Sequence, residues 1–95
     1  MSVWREQEAA ARWKREGTLI AMLGSRTADT PLFLGQVTDY NTIRGRVLVY
    51  VTVLWAAATR SPVDGTRDYS WHARDAREAT DAEKLMLAQA LLEGE

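Results

Sequence analysis

The chain has 95 residues, a formal charge of −1, one histidine and no cysteine. This length fits a single domain, residues 1–95, that buries a modest core without disulfides or metal. The lack of cysteine excludes a disulfide scaffold, a thiolate zinc site and a cysteine nucleophile. The longest apolar stretch, Val47 to Ala58, is too short to span a membrane, and the N-terminus has no apolar signal segment. We therefore expect a soluble, cytoplasmic domain with no membrane partner.

Charge is distributed unevenly along the chain. Residues 1–25 carry +1 and residues 26–77 carry +2. Residues 78–95 carry −4, because one lysine, Lys84, stands among five acidic residues: Glu78, Asp81, Glu83, Glu93 and Glu95. A dedicated nucleic-acid binder usually has a clear basic excess, and the whole-chain balance does not show one.

Two helices are predicted at the ends of the chain. The first covers residues 2–16, from an N-cap at Ser2 to a stop at Gly17. The second covers residues 80–93, where Thr80 and Glu83 fit the capping-box pattern. Its apolar residues form three stripes, which are Leu85, Ala88 and Leu92; Met86 and Ala90; and Leu87 and Leu91. One sheet cannot cover all three.

Between the helices, apolar residues alternate with a period of two, which indicates strands. Four strands are predicted within a β core of residues 18–77, and they are Thr18–Gly24, Leu32–Tyr40, Arg46–Ala56 and Arg67–Ala76. In the third strand, alternate residues from Val47 to Trp55 are expected to share one face. No link between strands is a helical crossover, so the predicted fold class is α+β. It has an N-terminal helix, a four-stranded antiparallel meander and a C-terminal helix.

The spacing Gly35-x-Val37, followed by Gly45-x-Val47-x-Val49-x-Val51, resembles small SH3-like β-barrels, including KOW-type modules. The passage from the last strand into residues 77–83 is similar to the ends of some small uncharacterised bacterial and phage proteins. The resemblance covers residues 18–83 and implies an SH3-like, partly open barrel that acts by binding. The lysine- and glycine-rich turn typical of KOW modules is absent, so no site residues are carried over.

Enzymatic chemistry is not expected. Ser70, His72 and Asp75 form the one serine–histidine–aspartate neighbourhood, but on a strand Asp75 points away from the other two. His72 has no second histidine or thiolate with which to complete a transition-metal site. No glycine cluster suits a phosphate loop. We therefore predict no catalytic residues, no metal and no cofactor.

The apolar surfaces of the two helices predict self-association. Trp4 and Trp13 lie on opposite sides of the first helix, so one ring is available to another surface. A contiguous apolar patch is rarely left in water unless it is functional, and a twofold-related copy is the commonest cover. We predict a homodimer whose interface includes Leu87 or Leu91 and a tryptophan of the first helix.

Four arginines lie near the predicted loops: Arg44, Arg46, Arg60 and Arg67. Together with Tyr40 or Tyr50 they fit a phosphate-contacting edge, although interspersed aspartates are equally typical of a solvated rim. We favour a non-enzymatic protein–protein interaction module, of the kind found as an accessory protein of a phage, mobile element or G+C-rich bacterium. The alternative is a small nucleic-acid-binding regulator using these arginines. On the favoured interpretation, we expect weak or undetectable nucleic-acid binding at physiological salt.

Overall fold

A computed structural model of the chain describes residues 3–25, 30–58, 61–62 and 68–93. Its elements are α1 (Val3–Glu16), β1 (Leu19–Met22), β2 (Phe33–Ile43), β3 (Arg46–Ala56), β4 (Ser61–Pro62), β5 (Asp68–His72), a 3₁₀ turn (Ala73–Asp75), β6 (Ala76–Glu78) and α2 (Asp81–Glu93). An antiparallel sheet thus follows an N-terminal helix and precedes a C-terminal one, and the sheet is not closed. The predicted α+β fold class is confirmed.

The predicted fourth strand is divided between the two sides of the sheet. β5 pairs with β3, whereas β6 pairs with β1, and the three-residue 3₁₀ turn joins them. In a flat sheet β5 and β6 would lie four strand spacings apart, about 19 Å. The four Cα steps from His72 to Ala76 reach at most about 15 Å. The sheet therefore curls towards a partly open barrel so that both pairings form.

Hydrogen bonds to one carbonyl hold this division in place. The indole N–H of Trp71 donates to the carbonyl oxygen of Asp75 at 3.2 Å, and the backbone N–H of Leu23 donates to the same oxygen at 2.9 Å. No glycine or proline marks the break between β5 and β6. The sequence pattern therefore predicts one strand where tertiary contacts make two.

An irregularity in the β2–β3 pairing decides which way Trp55 faces. Gly35 pairs with Val53 and Leu34 with Trp55, so Leu54 is an extra residue in β3. Such a bulge reverses the alternation of faces beyond it. Trp55 consequently packs on the opposite face from Val53, and the expectation that Trp55 shares a face with the β3 valines is wrong.

Two buried clusters lie on the two faces of the sheet. The inner cluster contains Val37, the β3 valines, Ile20 and Met22 of β1, and it is covered by Ala10 and Trp13 of α1. The outer cluster contains Ala21, Leu23, Leu34, Trp55 and Ala79, together with Leu87 of α2. Neighbouring residues of β1 enter different clusters, as the two-residue period of a strand requires. Each helix therefore covers its own face.

Ion pairs add little to the seating of α1. Lys14 Nζ lies 3.0 Å from Asp39 Oδ1, and Arg12 lies 3.4 Å from Glu78, with every partner about half exposed. The hydrogen bond from Lys14 lowers the pKa of Asp39. Exposed pairs of this kind contribute little to stability. The burial of Trp13, 5% exposed, is the stronger anchor. No described helix is long and apolar enough to cross a membrane.

Candidate functional site

α2 rests on the sheet along a narrow line. Leu87 is its buried residue, at 6% exposure, while Leu85 and Leu92 are 59% and 73% exposed. At 100° per residue, Leu85 and Leu92 lie about 140–160° around the helix from Leu87. Ala88, which lies between them in sequence, is about 100° from Leu87 on the same side. We call Leu85, Ala88 and Leu92 the outer stripe, and it points away from the core.

A groove runs beside this stripe, between α2 and the ends of β2 and β3. It has a volume of about 760 Å³, and its apolar walls include Leu32, Trp55 and Met86. Glu83 and Glu93 contribute to the same lining. The groove is therefore apolar with an acidic margin.

The start of α2 is fixed by a capping box, as predicted. Thr80 N–H donates to Glu83 Oε1 at 2.9 Å, and Glu83 N–H donates to Thr80 Oγ1 at 3.1 Å. Arg77 adds two hydrogen bonds to the Glu83 carboxylate, at 2.7 and 2.9 Å. The Arg77 hydrogen bond is the main reason that the pKa of Glu83 lies below its usual range. β6 and α2 are thereby held in one relative orientation.

A second surface lies at the far end of the β2–β3 hairpin. The connection is two residues long, and Arg44 and Gly45 both have positive φ, at 51° and 76°. Such a turn matches the twist of the flanking strands and places a side chain at the tip. Arg44 is therefore at the tip, and Arg46 begins β3 directly after it.

Two further residues join these arginines through the fold. His72 pairs with Leu48 across β5 and β3. A depression of about 360 Å³ is lined by Ile43, Arg44, Arg46, Leu48 and His72, and a smaller adjoining depression shares Arg46 and His72 and adds Glu6, Gly45, Val47 and Arg74. We call Arg44, Arg46, His72 and Arg74 the basic face.

The structure separates the residues that the sequence predicts for a dimer interface. Trp13 and Leu87 are buried in this chain's own core, at 5% and 6% exposure. Trp4 and Leu91 are exposed, at 66% and 48%. Arg46 and Trp55 bound the two ends of β3, which are roughly 30 Å apart over nine residues. Trp4 is two residues from Glu6, which lines a depression at the hairpin end, and Leu91 follows Ala90, which lines the groove.

The structure describes only two of the four arginines that are predicted to contact phosphate. Arg44 and Arg46 come together at the hairpin, whereas Arg60 and Arg67 lie outside the described residues. Arg74 is not predictable from the sequence as part of this cluster, because it reaches the hairpin end only through the 3₁₀ turn. His72, which the sequence presents as a candidate for catalysis or metal binding, lies beside these arginines instead. The sole sequence signal for the cluster is the spacing of basic residues on either side of the hairpin.

No catalytic or metal constellation is found around His72 in residues 68–93 or the other described segments. Ser70 and His72 share one face of β5, whereas Asp75 belongs to the 3₁₀ turn. No group of three or more histidine, aspartate or glutamate side chains within the described residues suits a metal ion. No protein-family model, curated protein or solved structure matches the chain. The resemblance to SH3-like barrels therefore stays a prediction.

Proposed function

We propose that the protein is a non-enzymatic protein–protein interaction module that forms a homodimer through α2. The outer stripe carries this proposal: Leu85 and Leu92 are 59% and 73% exposed, although both are large and apolar. A contiguous apolar surface on a small protein is usually a binding surface.

The spacing of the outer stripe favours a second helix as its cover. Leu85, Ala88 and Leu92 follow a three-plus-four pattern, which is the seam spacing of paired helices. Ala88 is small, so the two helix backbones can approach closely at the centre. With a twofold axis through this seam, the outer stripe of each copy packs against the outer stripe of the other copy.

This proposal moves the interface away from the residues predicted from sequence. Leu87 and Trp13 are buried in the core, whereas Trp4 lies in α1, two residues from Glu6, which lines a depression at the hairpin end. Leu91 is about 100° around the helix from Leu92, at the margin of the seam. The groove lies on the other side of the stripe and stays open in such a dimer. There it suits an apolar partner segment with basic flanks, because Glu93 lies at its margin.

Sedimentation equilibrium at low micromolar concentration tests the homodimer. We expect the wild type to have twice the 10.7 kDa mass of the chain. Leu92→Glu removes two buried leucines per dimer and puts a carboxylate from each copy into the seam, so we expect dimer affinity to fall at least about a hundredfold. Ile43→Glu is the matched control, because Ile43 is 43% exposed at the hairpin end, and it should remain dimeric.

Circular dichroism melting should show that both variants are folded, since neither residue is buried. A wild type that sediments as a monomer would remove the proposal. The proposal would also be removed if Leu92→Glu and Ile43→Glu weakened the dimer equally.

A further inference from the structure

We infer that the basic face binds the phosphodiester backbone of single-stranded nucleic acid. This function goes beyond the proposed homodimer and uses the opposite end of the molecule. Three arginines and one histidine converge there from the hairpin turn, β3, β5 and the 3₁₀ turn. Residues so far apart in sequence meet because β5 pairs with β3.

The arginines of the basic face are available to a ligand. Arg12 and Arg77 have carboxylate partners within the chain. By contrast, Arg44, Arg46 and Arg74 make no ion pair or hydrogen bond with the described residues, and all three are exposed.

Charge and donor geometry favour phosphate. The lining of the two depressions contains one acidic residue, Glu6, and three arginines. A guanidinium group presents paired N–H donors that match two oxygens of one phosphate, and His72 adds a ring N–H donor. The local excess of positive charge exists despite the chain's overall charge of −1.

An apolar row continues from the basic face along the sheet. Ile43, Leu48 and Tyr50 lie on the face of β2 and β3 that also carries Arg46, because their register partners alternate from Arg46 onwards. α1 covers the inner cluster and α2 packs on the outer cluster near Trp55, so neither helix covers this row. Tyr50, which is half-exposed and pairs with Ser70, offers a ring on which a base can stack.

The basic face and the adjoining apolar row together favour single-stranded nucleic acid over a duplex. Bases in a duplex are stacked on each other and expose only their edges, whereas the apolar row requires an open base face. Arginines at one end and a tyrosine along the strand suit a backbone with unpaired bases beside it. Binding of a duplex, or of an acidic segment of another protein, is a distinct outcome of the test below.

Fluorescence anisotropy with a labelled oligothymidine of about 20 nucleotides tests the site. We expect micromolar affinity at about 50 mM salt that falls steeply by 200 mM. Arg46→Gln/Arg74→Gln removes two phosphate contacts, so affinity at low salt should drop at least about tenfold. The log–log salt slope should become shallower by about 1.4, which is 0.7 for each contact on a single strand.

Arg15→Gln/Lys84→Gln is the matched control, because it removes two exposed positive charges elsewhere on the chain. Its salt slope should equal that of the wild type. Tyr50→Ala should weaken binding about tenfold without changing the slope, whereas Tyr50→Phe should bind normally. Melting curves establish that each variant is folded.

Several results would overturn the proposal. One is a wild type that fails to bind oligothymidine at 20 mM salt. Another is a wild type that prefers a duplex of matched length. Equal effects of the two double variants would show attraction by general charge alone. Competition by an acidic peptide but not by unlabelled oligothymidine would assign the basic face to a protein partner. Leu92 lies outside the basic face. Failure of the nucleic-acid binding test would therefore leave the homodimer proposal unaffected.

Discussion

At the scale of single residues, Gly35 shows how closely β2 and β3 approach at the bulge. A Cβ added at Gly35 would overlap Val51 Cγ1 and lie 2.7 Å from the carbonyl oxygen of Thr52. The backbone oxygen cannot move away without breaking the β2–β3 pairing. A side chain at this position therefore forces apart the strands that carry the inner cluster.

We expect Gly35→Ala to destabilise the fold by about 2 kcal/mol, as overpacking of a core does. For a domain of this size, that lowers Tm by roughly 8–16 °C in a thermal melt. Gly24→Ala is the control, because its new methyl would meet Leu32 Cδ1 at an ordinary 3.5 Å. If Gly35→Ala melted at the same Tm as Gly24→Ala, the strands at the bulge would have to accommodate a methyl group, contrary to this geometry.

At the scale of elements, the capping box of α2 makes stability depend on pH. The pKa of Glu83 is lowered in the folded protein, mainly by the Arg77 hydrogen bond. A lowered folded pKa contributes stability above the unfolded value, near 4.5, and this contribution is lost as pH falls through the folded pKa. Urea unfolding between pH 6 and pH 3 should therefore show a falling free energy of unfolding.

Glu83→Gln should reduce stability at pH 6 by about 1 kcal/mol, because the amide keeps an acceptor for Thr80 N–H but loses the charge. Its loss of stability towards pH 3 should be shallower than that of the wild type. Some loss remains in both proteins, because the pKa of Asp39 is also lowered by its bond from Lys14. Glu93→Gln is the control, and its free energy of unfolding should follow the wild-type curve against pH. A curve for Glu83→Gln that runs parallel to the wild-type curve would show that the capping box does not cause this pH dependence.

Elements with local signals were predictable from the sequence. The bounds of β3 agree at both ends, and the capping box marks the start of α2 to within a residue. β2 extends three residues beyond the predicted Tyr40, because the hairpin turn is the pair Arg44–Gly45 and not the five residues Asn41–Gly45. The break between β5 and β6 had no such signal. It follows from the need to pair with β3 and then with β1, which only the whole sheet determines.

At the scale of the whole molecule, the two candidate surfaces lie at opposite ends of a body 42 Å long. The sequence indicates the apolar excess of α2, but it cannot tell which stripe the sheet covers. Leu87 is covered and the outer stripe is exposed. In the same way the sequence indicates Arg44 and Arg46, whereas Arg74 joins them only through the β3–β5 pairing and the 3₁₀ turn.

The separation of the two surfaces leads to a prediction that connects them. If α2 joins two copies, the dimer carries two basic faces, each distant from the seam. An oligothymidine long enough to reach both is bound twice, and the second contact is intramolecular. A short one reaches a single face, so dimerisation gives it no advantage.

We therefore expect wild type and Leu92→Glu to bind an oligothymidine of about 8 nucleotides with equal affinity per chain. With about 60 nucleotides, the wild type should bind at least tenfold more tightly than Leu92→Glu, because linked sites raise avidity by tenfold or more without new contacts. Anisotropy titrations at one salt concentration measure both affinities. Equal affinities for the long strand would show that the two faces of a dimer cannot be bridged. A loss for the short strand would instead place α2 within the nucleic-acid site, since only a direct contact could affect a ligand confined to one face.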